Sequence, residues 1–203
     1  MSHDTWIHRV ARMVAVKPLA AARVRPNHVT TVRLATGLAA AAAIGTGLPL
    51  WQDIGAAAFV VSMVLDRADG DLARLTGQTS AAGHRYDMVA DGVSNAAVYI
   101  GLGFGMRNGA YGLLALPMGL AAGVAIAAIL SLAMRAEERK GPRAAELPGL
   151  AGFDADDAMI LVPLAIWFGI GELLLSAAAV GAPLFAVFFY WLVKRRLAAA
   201  KPD

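Results

Sequence analysis

The chain has 203 residues, 58% of them hydrophobic and only 16% charged, with a mean hydropathy of +0.58. A soluble domain carries about a quarter charged residues, so the composition speaks against a water-soluble globule and for a membrane protein. The absence of cysteine excludes a disulfide framework and a thiolate metal site, and a net charge of +3 does not imply nucleic acid.

Residues 1–25 set Arg9, Arg12, Lys17, Arg23 and Arg25 among Trp6, Ile7, Val10, Met13, Val14 and Leu19. The three- and four-residue spacing of Ile7, Val10 and Val14 is helical, and a basic amphipathic helix with a Trp lies in a membrane interface. Pro18 is expected to divide it into two short pieces. The opening MSHDTWIHRVARM lacks the pattern of a cleaved signal peptide. Pro26 suits the first turn of the next helix, and the Ala/Gly-rich run to about Leu48 reads as span one. Its small residues favour close helix packing.

After a turn at 48–53, span two runs from about Ile54 into Asp66, and its helix continues through Arg74. Span three runs from Gly83 to about Met106, followed by a turn at Arg107-Asn108-Gly109. Span four covers about Ala110 to Met134, with a kink expected at Pro117. A polar loop fills 135–157, span five runs from about Ala158 to Leu175, and span six from about Ala177 to Val193. The predicted architecture is all-α: one polytopic membrane domain over residues 1–203, with six transmembrane helices after an interfacial segment. Trp51, Trp167 and Trp191 fit interfacial belts, and Glu172 falls near the outer end of span five.

Six spans put both termini on one side. Of the eighteen Lys and Arg, all except Arg107 lie in the N-terminal segment, at the start of span one, around the loop between spans two and three, in the loop after span four, or in the tail. The positive-inside rule makes that side cytoplasmic. Residues 66–91 open to it.

That stretch reads DRADGDLARLTGQTSAAGHRYDMVAD. On helices, Asp66 and Asp69 are i,i+3 neighbours, and Asp87 and Asp91 are i,i+4 neighbours. Gly77, Gln78, Thr79 and Ser80 supply a turn between them. Two antiparallel helices then aim four carboxylates at one small volume, beside apolar sequence where ionisable groups are costly and functional. Four like charges need a cation, and Mg²⁺ is usually held by a few carboxylates together with substrate phosphates. The pattern points to a metal site for phosphate chemistry. Asp71 falls about 140° round the helix from Asp66 and reads as solvated or salt-bridged.

The full spacing is Asp66-x-x-Asp69-Gly70-x-x-Ala73-Arg74, eight residues, then Gly83-x-x-x-Asp87-x-x-x-Asp91. This resembles the signature of the CDP-alcohol phosphotransferases at every position. The resemblance implies displacement of CMP from a CDP-linked donor, most often CDP-diacylglycerol, by an alcohol hydroxyl, in phospholipid synthesis at the cytoplasmic membrane. It implies Mg²⁺ or Mn²⁺, with two ions expected, held by Asp66, Asp69 and Asp87. Asp91 is implied as proton acceptor and second-metal ligand. Gly70, Ala73, Arg74, Ser80 and Gly83 are implied on the donor side: Gly70 for close approach, Arg74 for phosphate or cytosine, and Gly83 for tight packing of spans two and three. Pro26-Asn27-x-x-Thr30 is similar to the segment that faces the nucleotide in that family, so Asn27 and Thr30 join this set. A homodimer is expected by analogy.

Arg135, Arg139, Lys140, Arg143, Arg195 and Arg196 offer an anion pocket for a phosphorylated acceptor. The acidic patch Asp154, Asp156 and Asp157 argues for a cationic one. Serine, glycerol 3-phosphate and inositol phosphate stay open. Pro26-Asn27-x-x-Thr30-x-x-Arg33 in a short chain resembles members that use glycerol 3-phosphate, which favours that acceptor. A cation transporter would spread its acidic residues through the membrane depth, whereas here they cluster at one end. A catalytically idle relative would have lost an aspartate, and none is lost. His3, His8, His28 and His84 are expected to ligate nothing.

Overall fold

The structure is a computed structural model that describes residues 16–141 and 155–198. Among these residues every regular element is helical. Seven α-helices follow in order: α1 (Lys17–Ala21), α2 (Pro26–Gly45), α3 (Pro49–Thr76), α4 (Ala81–Gly105), α5 (Ala115–Lys140), α6 (Leu161–Trp167) and α7 (Gly171–Ala198). Short 3₁₀ turns stand at Gly112–Leu114 and Ala155–Ile160.

Local chemistry sets the boundaries near the acidic stretch. Pro26 and Pro49 open α2 and α3, where a missing N–H costs nothing. α3 ends at Gly77, which takes the left-handed conformation with φ 68°. The Gln78 N–H then donates back to the Ala73 carbonyl at 2.9 Å. Ser80 caps α4, its Oγ accepting the Gly83 N–H at 3.0 Å.

The helices form a closed ring in the order α3, α2, α4, α5, α7, α6 and back to α3. α3 and α4 scarcely touch, because α2 lies between them. Small residues allow that insertion. A Cβ on Gly37 of α2 would stand 2.7 Å from Ser94 Oγ of α4 and 3.2 Å from Ser62 Oγ of α3, so only glycine fits. Ile44, Phe59, Val98, Leu102 and Leu175 fill the ring's interior. Val16, Leu19 and Ala20 at the start of the described chain pack on Ala68 and Leu72 of α3. Outward, α7 presents Leu173, Val180, Leu184, Val187 and Phe188.

Two helical stretches among the described residues, Gly112–Arg139 and Gly171–Arg195, are long and apolar enough to cross a membrane. The other expected spans do not reach that standard. α3 is long, but its second half carries Asp66, Arg67, Asp69, Asp71 and Arg74.

Three expectations change. The last two spans divide at Phe168–Ile170, not after Leu175. Gly169, at φ 70°, ends α6, and the Ile170 N–H donates to the Ala165 carbonyl at 2.8 Å. Glu172 thus belongs to the first turn of α7. Pro117 sits in the first turn of α5, where it breaks no hydrogen bond, and the interior proline is Pro183 of α7. α5 runs on to Lys140, taking in the start of the expected polar loop. The interfacial segment before Val16, Arg143, and Asp154 of the acidic patch lie outside the described residues, as do the side chains of Lys140, Asp156, Asp157 and Arg196.

Candidate active site

The two halves of the acidic motif meet across α2, and a side chain of α2 stands between them. Arg33 is buried, with 2% of its side chain exposed. Its Nη1 donates to Asp66 Oδ1, and its Nη2 donates to the main-chain oxygen of Asp87 at 2.7 Å and to Asp87 Oδ1 at 3.1 Å. Nη1 also lies 3.5 Å from Asp91 Oδ1, and Nε lies 3.9 Å from Asp69 Oδ2. All four aspartates therefore gather around one guanidinium. A charge at such depth is tolerable only when paired and hydrogen-bonded.

Each carboxylate is held differently. Asp69 is buried, and its Oδ2 accepts the Thr30 hydroxyl at 2.8 Å. Its Oδ1 has no hydrogen-bond partner. Asp66 Oδ2 lies 3.6 Å from Arg67 Nη1. Asp91 Oδ1 accepts from Asn95 Nδ2 at 3.0 Å, one helical turn on. Ser62 Oγ donates to the Arg33 carbonyl at 3.0 Å and ties α2 to α3 at this level.

The set fits a hard divalent ion. One oxygen from each of Asp66, Asp69 and Asp87 falls within 4.8 Å of the others. All are carboxylate oxygens, the donors that Mg²⁺ and Mn²⁺ prefer. The buried, unpartnered Asp69 Oδ1 is the atom that such an ion would satisfy. Asp91 stands beside this trio, not within it.

The residues expected on the donor side form two groups. Gly70 and Arg74 lie at the end of α3. A Cβ on Gly70 would meet only the Arg74 guanidinium, at 3.6–3.9 Å, so no helix packing requires this glycine. Arg74 is exposed, and its Nη2 pairs with Asp71 Oδ1 at 2.6 Å. Asp71 is buried and salt-bridged, which settles the alternative left open by its position. Ala73 beside them is half-buried.

The second group stands at the starts of α2 and α4. Gly83 faces Asn27, whose Oδ1 would lie 3.3 Å from an added Cβ. Gly83 therefore brings α4 onto α2; the expected packing of spans two and three against each other does not occur. Ser80 holds its cap, and Thr30 faces a carboxylate. Thr31 Oγ1 and Tyr86 OH pair at 2.9 Å across the same two helices.

Among the described residues, Arg135, Arg139 and Arg195 make no ion pair with the aspartates. Arg135 and Arg139 are exposed near the end of α5. Arg195 lies 3.6 Å over the ring of Trp191 on its own helix. The α4 and α5 ends join through His84 Nε2 and Glu137 Oε2 at 2.9 Å, and through Arg85 and Glu138 at 3.1 Å. Sequence reasoning missed the central place of Arg33 and the support from Asn95. Helical spacing carried both signals: Arg33 is three residues after Thr30, and Asn95 four after Asp91.

The all-helical bundle thus gathers an acidic cluster, able to hold a divalent ion, around a buried arginine. Comparison with known families identifies the class of protein. The family model described as CDP-alcohol phosphatidyltransferase matches residues 23–199. The chain belongs to the CDP-alcohol phosphatidyltransferase family and is a transferase. No curated protein matches it.

Proposed function

We propose that this protein transfers a phosphatidyl group from CDP-diacylglycerol to an alcohol, releasing CMP, with glycerol 3-phosphate as the acceptor. The observation that carries the reading is the convergence of Asp66, Asp69, Asp87 and Asp91, from two helices separated by α2, on one guanidinium of α2. Asp66, Asp69 and Asp87 would hold Mg²⁺ or Mn²⁺, in a site of up to two ions with Asp91 at its edge. Bound there, the metal would neutralise the diphosphate and stabilise the leaving oxygen.

The chain's own groups do the rest. A bond forms between the acceptor oxygen and the phosphatidyl phosphorus, and the bond from that phosphorus to the oxygen of CMP breaks. Asp91 takes the hydroxyl proton, which requires it within hydrogen-bond reach of the acceptor. Asn95 fixes the orientation of the Asp91 carboxylate. Gly70 leaves room for the nucleotide beside α3. Arg74 offers its planar fork to phosphate or cytosine, and Asn27, Ser80 and Gly83 line the opposite wall.

Acceptor recognition falls to Arg135 and Arg139 near the end of α5 and Arg195 near the end of α7, with Lys140 and Arg143 assigned the same role from the sequence. Two contacts support this placement. Glu137 and Glu138 join the end of α5 to the start of α4, and Ala136 of α5 packs with Phe189 and Val193 of α7. Both basic ends therefore lie on the side of the bundle that holds the aspartates. Glycerol 3-phosphate is favoured by Pro26-Asn27-x-x-Thr30-x-x-Arg33 and by this basic surface. The ring is read as a six-span bundle in the cytoplasmic membrane, with the site facing the cytoplasm, lipid tails entering sideways, and two copies pairing as a homodimer.

The test supplies CDP-diacylglycerol and Mg²⁺ to purified protein with glycerol 3-phosphate, serine or inositol phosphate, and identifies the lipid product by mass. Phosphatidylglycerol phosphate is the expected product. A product from serine alone would replace the acceptor, and no lipid product from any of them would remove the donor as well.

A further inference from the structure

Arg33 belongs to neither half of the acidic motif, yet its guanidinium touches or borders all four carboxylates. Asp66 and Asp87, which accept its N–H groups, are also two of the three carboxylates that could hold a divalent ion. A guanidinium and a divalent ion compete for these two carboxylates, because like charges a few ångströms apart in a partly dehydrated site repel.

The side chain is also incompletely held. Nη1 and Nη2 are bonded, whereas buried Nε has no hydrogen-bond partner. A purely structural buried arginine normally satisfies its donors. The backbone beneath it is tied to α3 by Ser62, a contact that does not involve the guanidinium. Asp69 keeps its own support from Thr30 whatever Arg33 does.

We propose that Arg33 is an exchangeable counter-ion for the aspartates. It holds the carboxylates together before metal arrives and leaves Asp66 and Asp87 when a divalent ion enters, so metal binding includes the cost of displacing it. Arg33 is thus a positioning residue that sets metal affinity. This rests on the reading of Asp66, Asp69 and Asp87 as metal ligands.

The experiment measures Mn²⁺ binding to the full chain in detergent by the paramagnetic resonance of free Mn²⁺, with thermal melting in EDTA and in saturating Mn²⁺. For Arg33→Gln, removal of the competing cation should tighten Mn²⁺ binding on the order of tenfold. Its metal-free melting temperature should fall below wild type, and saturating Mn²⁺ should bring the two together. Arg33→Lys keeps the charge without the fork, so it should bind Mn²⁺ more tightly than wild type but less tightly than the Gln variant.

Unchanged or weaker Mn²⁺ binding in Arg33→Gln would overturn the exchange. If that variant does not fold, Arg33→Lys decides, and an affinity no tighter than wild type has the same force. Asp69→Asn separates the two readings. Binding that is lost in Asp69→Asn but not tightened in the Arg33 variants removes only the exchange. A wild-type protein that binds no Mn²⁺ removes the metal site and the exchange together.

Discussion

At the Gly45 end of α2, Arg107 donates from Nη1 to the carbonyls of Gly45 and Phe104 and from Nη2 to that of Thr46, while Glu172 Oε1 accepts the Ala110 N–H at 2.7 Å. At the Pro26 end of the same helix, Arg33 meets four carboxylates. The first end spends its charges on main-chain groups that the helix termini leave unpaired. The second crowds like charges and leaves Asp69 Oδ1 and Arg33 Nε unbonded. One end is satisfied by the protein alone, whereas the other leaves two buried polar atoms over, one of which the proposed metal would take up. A charged residue within an apolar helix bundle is therefore read by its partners: carbonyls mark structure, and a crowd of carboxylates marks chemistry.

Variants at the two ends should separate activity from stability. Asp91→Asn should lower the rate of CMP release by about 10²–10⁴-fold, the usual worth of a positioned base, with melting close to wild type. Thr30→Val leaves Asp69 without its hydroxyl donor. It should cost about 1–3 kcal/mol and weaken Mn²⁺ binding, read by melting and by titration. Gly37→Ala drives a methyl into Ser94 and Ser62 and should cost about 1–3 kcal/mol by over-packing, measured as a lower melting temperature. Arg107→Ala should cost about 1–2 kcal/mol and leave the CMP-release rate per folded molecule unchanged. A fall in that rate comparable to Asp91→Asn would erase the contrast between the ends.

The smallest effect is expected at the edge of the site. Arg139→Gln should raise the KM for glycerol 3-phosphate several-fold, in keeping with one lost surface charge contact of about 1 kcal/mol. The turnover rate should not change. An unchanged KM would move acceptor recognition away from the end of α5.

Much of the active end was legible in the sequence because its signals are local. The i,i+3 and i,i+4 spacing of the aspartates and the turn over Gly77, Gln78, Thr79 and Ser80 are fixed within one or two helical turns. Which helices pair is not local. The Ala/Gly-rich run of α2 announces close packing but not its partners, so its position between α3 and α4, and Asn27 as the neighbour of Gly83, came only from the structure. Arg33 was visible as a lone charge in that run, but its role depends on carboxylates that lie 33 to 58 positions further along the chain. The break at Gly169 was obscured because residues 158–193 form an almost unbroken apolar run, and a left-handed glycine leaves no mark on hydropathy.

The central claim is that the gathered aspartates carry out metal-dependent phosphatidyl transfer. Its most direct test is CMP release from CDP-diacylglycerol with glycerol 3-phosphate, by wild type and Asp69→Asn, across a Mg²⁺ titration that begins in EDTA. The account predicts no release in EDTA, saturable release with Mg²⁺ in wild type, and none in the variant at any Mg²⁺ concentration. Release by wild type that persists in EDTA, or that survives Asp69→Asn undiminished, would contradict it.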